Sequence, residues 1–265
     1  MALILGALAS IAIAALAYYR RVLNAGGALA AVLVGTLVFG CGGWRWGVLL
    51  VVFFVTSSAL SRFRQGEKKT SLDRGAKSGR RDAAQVLANG GVVAILALLA
   101  VLSPADAWFP VAIGGLAAVT ADTWATELGG LSRRPPRLFV SGQPVPKGTS
   151  GAVTTLGSAT AVLGATVIGL AAGVISDTLA WWQATVVGAV AGTAGAFVDS
   201  LLGATAQAVY RCEACGEDTE VPVHRCGRPA RRIRGWAVLG NDEVNAAASL
   251  AGAAFGWLAW RLVGG

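Results

Sequence analysis

The chain has 265 residues, of which 55% are hydrophobic and only 14% charged, and its mean hydropathy is +0.62. Soluble domains carry about a quarter charged residues, so this balance excludes an ordinary soluble domain. The net charge of +8 does not require nucleic acid, because basic residues mark the cytosolic loops of membrane proteins.

Apolar runs recur from end to end and predict an all-α, polytopic membrane bundle. The expected helices run roughly over 2–18, 22–40, 45–61, 83–102, 108–128, 150–175, 180–209 and 242–262. The first lacks the basic leader of a signal peptide and is followed by Arg20-Arg21, so it reads as an uncleaved span. The second and third are short and split by Cys41-Gly42-Gly43, which fits two spans or a re-entrant pair. The seventh is long for a plain span, and Asp199 is expected to mark its exit from hydrocarbon or a break. Residues 1–265 form one membrane domain, with 210–236 as a small insertion loop.

Alternating the loops places every Lys and Arg except Arg45 and Arg261 on one side. That asymmetry assigns this side to the cytosol and both termini to the outside, in a prokaryotic plasma membrane. Of the acidic residues, only Asp106 and Asp177 fall in outer loops. Solvated loops do not explain carboxylates that enter apolar helices, and such groups mark functional sites.

The fourth helix opens with Arg80, Arg81 and Asp82, and Arg81, Gln85 and Asn89 then form one polar stripe. The stripe fits a phosphate site or helix-to-helix hydrogen bonding. On the fifth helix Asp122 and Glu127 lie about 140° apart, so both face one site only if the helix loosens. The loop Pro144-Val145-Pro146-Lys147-Gly148-Thr149-Ser150-Gly151 is a rigid-then-permissive turn near a helix start, and its spacing fits an anion site or a plain loop equally. The seventh helix carries Asp199, Ser200, Gly203 and Gln207, with Asp199, Gly203 and Gln207 on one face. The eighth opens with Asn241, Asp242, Glu243 and Asn245. There Asp242 fits either a ligand role or a helix cap.

Cys212-x2-Cys215-x8-His224-x-Cys226 has the ligand types and compact spacing of a zinc knuckle. Such a metal would brace a loop too small for a core of its own. The remaining carboxylates, amides, arginines and glycine turn suit a polyphosphate held with Mg2+, and the apolar helices around them suit a lipid substrate.

RDAAQVLANGG, ADTWATELG, the Pro-Lys-Gly-Thr-Ser-Gly turn, DSLLGATAQ and NDEVN together resemble a family of membrane proteins that includes the phytyl-phosphate kinases of tocopherol synthesis, relatives of CTP-using lipid kinases. The resemblance spans about residues 20 to 260. It implies transfer of the γ-phosphate of CTP or ATP to a polyprenyl or phytyl monophosphate. On that reading Asp122, Asp199 and Asp242 hold Mg2+, with Glu127 as a fourth catalytic carboxylate. Arg80, Arg81, Lys147 and the turn residues Gly148, Thr149 and Gly151 contact phosphates. Gln85, Asn89, Ser200, Gln207, Asn241 and Asn245 orient the substrates. The Cys/His loop departs from the family pattern, so its metal is structural. Two other classes compete: a nucleotidyltransferase making a CDP-lipid, and a transporter. The one-sided placement of polar residues disfavours the transporter, whose polar residues should flank the midplane on both sides.

Overall fold

The computed structural model describes residues 1–63 and 80–264. Five basic residues of the expected cytosolic loop, Arg64, Lys68, Lys69, Arg74 and Lys77, lie outside them. The described residues form eight helices: α1 (Ala2–Tyr19), α2 (Ala25–Cys41), α3 (Trp44–Arg62), α4 (Ala83–Leu102), α5 (Trp108–Gly129), α6 (Thr155–Ile175), α7 (Trp181–Thr205) and α8 (Asn241–Leu262). Between α5 and α6 lie two short strands, β1 (Arg137–Leu138) and β2 (Ala152–Val153), paired antiparallel. Between α7 and α8 lie β3 (Val209–Arg211), β4 (Asp218–Thr219) and β5 (Arg231–Arg234), a sheet of order β4-β3-β5.

By length and composition α1, α3, α4, α6 and α7 can each cross a membrane. Their outward faces carry Leu5, Leu8, Ile95, Leu99, Leu163 and Val190 in the open, as lipid-facing surfaces do. The chain is an integral membrane helix bundle. α5 sits at its centre and packs against α3, α4, α6, α7 and α8. Protein rather than lipid surrounds most of α5, which is why it tolerates Asp122 and Glu127.

The two ends of the bundle differ. At one end Arg45 pairs with Asp177 at 2.7 Å and donates to the Ile175 carbonyl at 2.9 Å, which joins the α2–α3 turn to the α6–α7 loop. Trp44, Trp108, Trp181, Trp182 and Trp257 cluster towards this end, where amphipathic rings suit a membrane interface. At the other end lie Arg20, Arg80, Arg81, the 130–154 loop and the 206–240 loop. α2 packs beside α1 from Gly40 next to Gly6 down to Gly27 next to Arg81. It therefore runs from one end of the bundle to the other, although at 17 residues it is shorter than the helices long enough to cross a membrane.

Two boundaries and one expected break differ from expectation. α6 begins at Thr155, not near 150, because Ala152 and Val153 are drawn into pairing with β1. Thr154 then caps the helix by accepting from the Gly157 amide at 2.9 Å. α7 ends at Thr205, and the chain turns through 206–208 before β3 begins at Val209. α7 is also unbroken through Asp199, since that carboxyl meets a partner on α5 and the helix has no need to open.

Close approach of helices uses small residues. Gly114 of α5 meets the backbone of Gly252 and Gly256 on α8, and Gly188 of α7 meets Gly169 of α6. An added Cβ at Gly192 would lie 2.7 Å from the Cβ atoms of both Ala117 and Ala165, which leaves no room between α5, α6 and α7. Gly114→Leu is therefore expected to lower stability by about 1–3 kcal/mol or more through overpacking. Gly91→Ala, which meets open space, should leave stability unchanged or raise it. Thermal midpoints of the two variants in detergent, read by size exclusion, check the contrast.

Candidate functional site

A cleft with a volume of about 230 Å3 opens at the basic end, between α5, α6, α7 and the start of α8. Its floor is built from two helices that cross closely. α5 brings Asp122 inward and α7 brings Asp199 inward, and both carboxyl groups line the cleft near enough to interact with each other. Two carboxylates in contact need a shared proton or a cation between them. The Asp199 Oδ2 atom is buried and has no hydrogen-bond partner among the described residues. The same holds for Gln207 Nε2, also at the cleft wall. A buried polar atom left unpaired is costly.

The wall facing the carboxyl pair is the turn Lys147–Val153. Gly148 (φ 81°) and Gly151 (φ 74°) adopt left-handed backbone. At Gly151 an added Cβ would overlap the Ala204 backbone nitrogen, so only glycine lets the turn press onto the end of α7. The Thr149 amide is spent on the Pro146 carbonyl and the Ala152 amide on the Thr149 carbonyl. Lys147 reaches back over the end of α5 and donates to the carbonyls of Gly130 (3.2 Å) and Ser132 (2.7 Å). An ammonium has three donors, so one remains for the cleft it also lines. Ser200 and Asn241 complete the polar rim.

One side of the cleft is apolar. Ala161, Ala196 and Phe197 line it, and Phe197 stacks on Phe139 with centroids 5.7 Å apart. Both rings are more than a third exposed.

The remaining expected site residues lie elsewhere. α5 stays regular to Gly129, so Glu127 does not line the cleft. It is instead close enough to Arg81 for their charges to interact. The stripe Arg81, Gln85 and Asn89 lines a separate, mostly apolar hollow with Leu23, Val34, Phe53 and Phe54. The Arg81 guanidinium lies 5.7 Å from the Phe53 ring centroid and 5.9 Å from that of Phe54. Its backbone bonds to Val22 and Asn24. Gln85 is half of a capping box: its amide donates to Asp82 Oδ1 at 2.9 Å, and its Oε1 accepts from the Asp82 amide at 3.3 Å. Arg80, beside Arg81, does not line the cleft. α4 lies on the side of α5 away from the cleft, packing on α2, α5 and α8, and this keeps the stripe from Asp122 and Asp199. Asp242 and Asn245 follow Asn241 on α8 without lining the cleft.

Glu220 is a cleft residue that sequence reasoning missed. It accepts a 2.5 Å hydrogen bond from Ser150 Oγ. Nothing in the spacing around Glu220 marks it, because it arrives from the insertion loop between α7 and α8.

That loop holds the Cys/His cluster. One ligand atom from each of Cys212, Cys215, His224 and Cys226 lies within 4.8 Å of every other, an arrangement that could hold a metal ion. Cys212 Sγ and Cys226 Sγ are 3.6 Å apart, and His224 Nδ1 is 3.1 Å from Cys226 Sγ. On the far edge of the imidazole, Nε2 sits 3.3 Å from Glu217 Oε2, the kind of carboxylate neighbour that orients a metal-bound histidine. The hydrogen bond with His224 pulls the Cys226 thiol down to about 6, while the hydrogen bond to Cys226 pushes Cys215 up to about 11. A lowered thiol pKa favours the thiolate, the form that binds metal ions.

Comparison with known proteins agrees with this architecture. The family described as integral membrane protein DUF92 matches residues 8–253. Protein PGR of Arabidopsis thaliana is 34% identical over 92% of this chain and 91% of its own. A membrane protein of Methanocaldococcus jannaschii is 33% identical over 69% of this chain and 74% of its own. One from Synechocystis is 30% identical over 66% and 68%. No solved structure matches the chain. The chain belongs to the DUF92 family of integral membrane proteins.

Proposed function

We propose that the protein is a membrane kinase that transfers the γ-phosphate of CTP or ATP to a polyprenyl or phytyl monophosphate, giving the diphosphate. The observation that carries this reading is the meeting of Asp122 and Asp199 opposite a glycine turn, in a cleft with one apolar wall. The carboxyl pair and the unpartnered Asp199 Oδ2 are hard oxygen donors, and they fit Mg2+. Bound there with substrate phosphates, Mg2+ would supply neutralisation of the negative charge that develops during transfer.

The chain's own residues would do the rest. Lys147 and the backbone of Gly148, Ser150 and Gly151 face the carboxyl pair and would bind phosphate oxygens. Ser200, Gln207 and Asn241 would orient them. Phe197, Phe139, Ala161 and Ala196 would receive the first carbons of the lipid at the membrane edge. A phosphate monoester is largely dianionic near neutral pH, so the acceptor needs no strong general base. That suits a cleft without histidine, since the chain's single His, His224, belongs to the cysteine cluster. Catalysis would rest on positioning and charge neutralisation. Arg81 and Glu127, across α5, would act at a distance if at all.

The basic end of the bundle would face the cytosol, where nucleotides are supplied, with both termini outside. The metal of the Cys/His cluster would be zinc. Tetrahedral Zn–S bonds of about 2.3 Å put sulfurs about 3.8 Å apart, close to the 3.6 Å between Cys212 and Cys226.

Purified protein incubated with Mg2+, labelled CTP or ATP and prenyl monophosphates should yield prenyl diphosphate. Asp122→Asn and Asp199→Asn should each lower the rate by about 10²-fold or more. A CDP-lipid product would move the chain to the nucleotidyltransferases, and full activity in a folded Asp199→Ala variant would overturn the assignment. Elemental analysis should find about one zinc per chain, falling close to zero in Cys215→Ser. Acidification should release the metal, since its thiolate ligands must be deprotonated.

A further inference from the structure

Glu220 stands between the two halves of the metal-ligand set. Upstream, β4 ends at Thr219, which pairs with Tyr210 on β3. The turn joining these strands carries Cys212 and Cys215 and is closed by the Cys212 amide on the Glu217 carbonyl and the Gly216 amide on the Cys212 carbonyl. Downstream, the chain reaches His224 through a turn closed by the Ala230 amide on the Pro222 carbonyl. The module has almost no apolar core: Tyr210, Cys212, Thr219 and His224 are its buried side chains, and two of them are ligands. Without a metal, the segment is held by the short β4-β3-β5 sheet and exposed ion pairs such as Arg211–Asp218, which contribute little.

The module is nevertheless fastened to the cleft. Ser150 Oγ donates to Glu220 Oε1 at 2.5 Å. Arg234 on β5 donates to the Ser150 carbonyl at 3.3 Å and to the Gly203 carbonyl at 2.8 Å. Ser150 lies in the glycine turn, Gly203 lies near the end of α7, and the Trp236 amide donates to Ala206. The Glu220 charge also reaches Asp199.

We propose that Glu220 is a positioning carboxylate of the Asp122–Asp199 cleft, locked in place by the metal-bound Cys/His module, so that losing the module's metal withdraws Glu220 and weakens divalent-cation binding in the cleft. This inference rests on the cation-binding reading of the cleft. Glu220 adds a further carboxylate beside the carboxyl pair and holds the Ser150 side of the turn. The module thereby acts as a brace whose metal state is transmitted to a site it does not itself form.

The test measures Mn2+ binding by electron paramagnetic resonance on the full chain in detergent. Wild type is expected to take up a Mn2+ that Asp199→Asn abolishes. Glu220→Gln, which keeps the cluster and a hydrogen-bonding group towards Ser150 but removes the charge, should weaken that Mn2+ by about tenfold or more. Cys215→Ser should lose its zinc and weaken Mn2+ similarly, with faster hydrogen exchange in the peptide covering 146–153. Cys215→His should restore zinc and Mn2+ affinity together. Wild-type Mn2+ affinity in both Glu220→Gln and zinc-free Cys215→Ser, with Asp199→Asn still defective, would overturn the proposal and leave the cation reading standing. Absence of any Asp199-dependent Mn2+ in wild type would sink the cation reading itself and this inference with it.

Discussion

Two carboxyl groups held in contact between neighbouring membrane helices set the terms for everything around them. Asp122 and Asp199 are tolerated there because α5 is enclosed by protein and the cleft opens at one end of the bundle. Charge in hydrocarbon is expensive, so the enclosure must be tight. The fold achieves it with small residues. Gly114 meets Gly252 and Gly256, while Gly192 nests between Ala117 and Ala165. These approaches bring α5, α7 and α8 close enough for short acidic side chains to meet. A carboxyl group has little reach, so helix separation decides whether the pair exists.

The cleft is then closed by backbone rather than by large side chains. The turn at Gly148 and Gly151 presses onto α7, and Lys147 anchors it to the end of α5. The Cys/His module lies beyond, tied in through Ser150, Arg234 and Glu220. Polar groups thus converge from five stretches of chain: α5, the glycine turn, α7, the insertion loop and the start of α8. Phe197, which stacks on Phe139, lines the same cleft, so a charged floor and an apolar wall share one opening. That combination motivates a phosphorylated lipid as the ligand.

Much of this was legible in advance. The eight helices follow from long apolar runs, which almost no other structure can satisfy in lipid. The Cys/His cluster follows from residue spacing, since four such side chains in a short loop need little tertiary help to meet. Asp122 and Asp199 stood out because each interrupts an apolar helix. The 140° between Asp122 and Glu127 also held: α5 does not loosen, and the two residues face different neighbours. The polar stripe on α4 misled, because periodicity shows which residues share a face but not which helix that face meets. Arg81 and Asn89 border a hollow near Phe53, and Gln85 is drawn into a cap with Asp82.

Local chemistry along the chain was enough to specify the membrane bundle, the polar end with its carboxylates, and the cysteine–histidine cluster, because hydropathy, charge bias and ligand spacing act over short stretches. The meeting of Asp122 with Asp199, the separation of Glu127 and the α4 stripe from them, the continuity of α7 through Asp199, and the arrival of Glu220 from the insertion loop depended on how the helices pack. Packing is set by close contacts between residues distant in sequence, such as Gly114 with Gly252 or Gly151 with Ala204. Such contacts leave no periodic or compositional trace in a single chain.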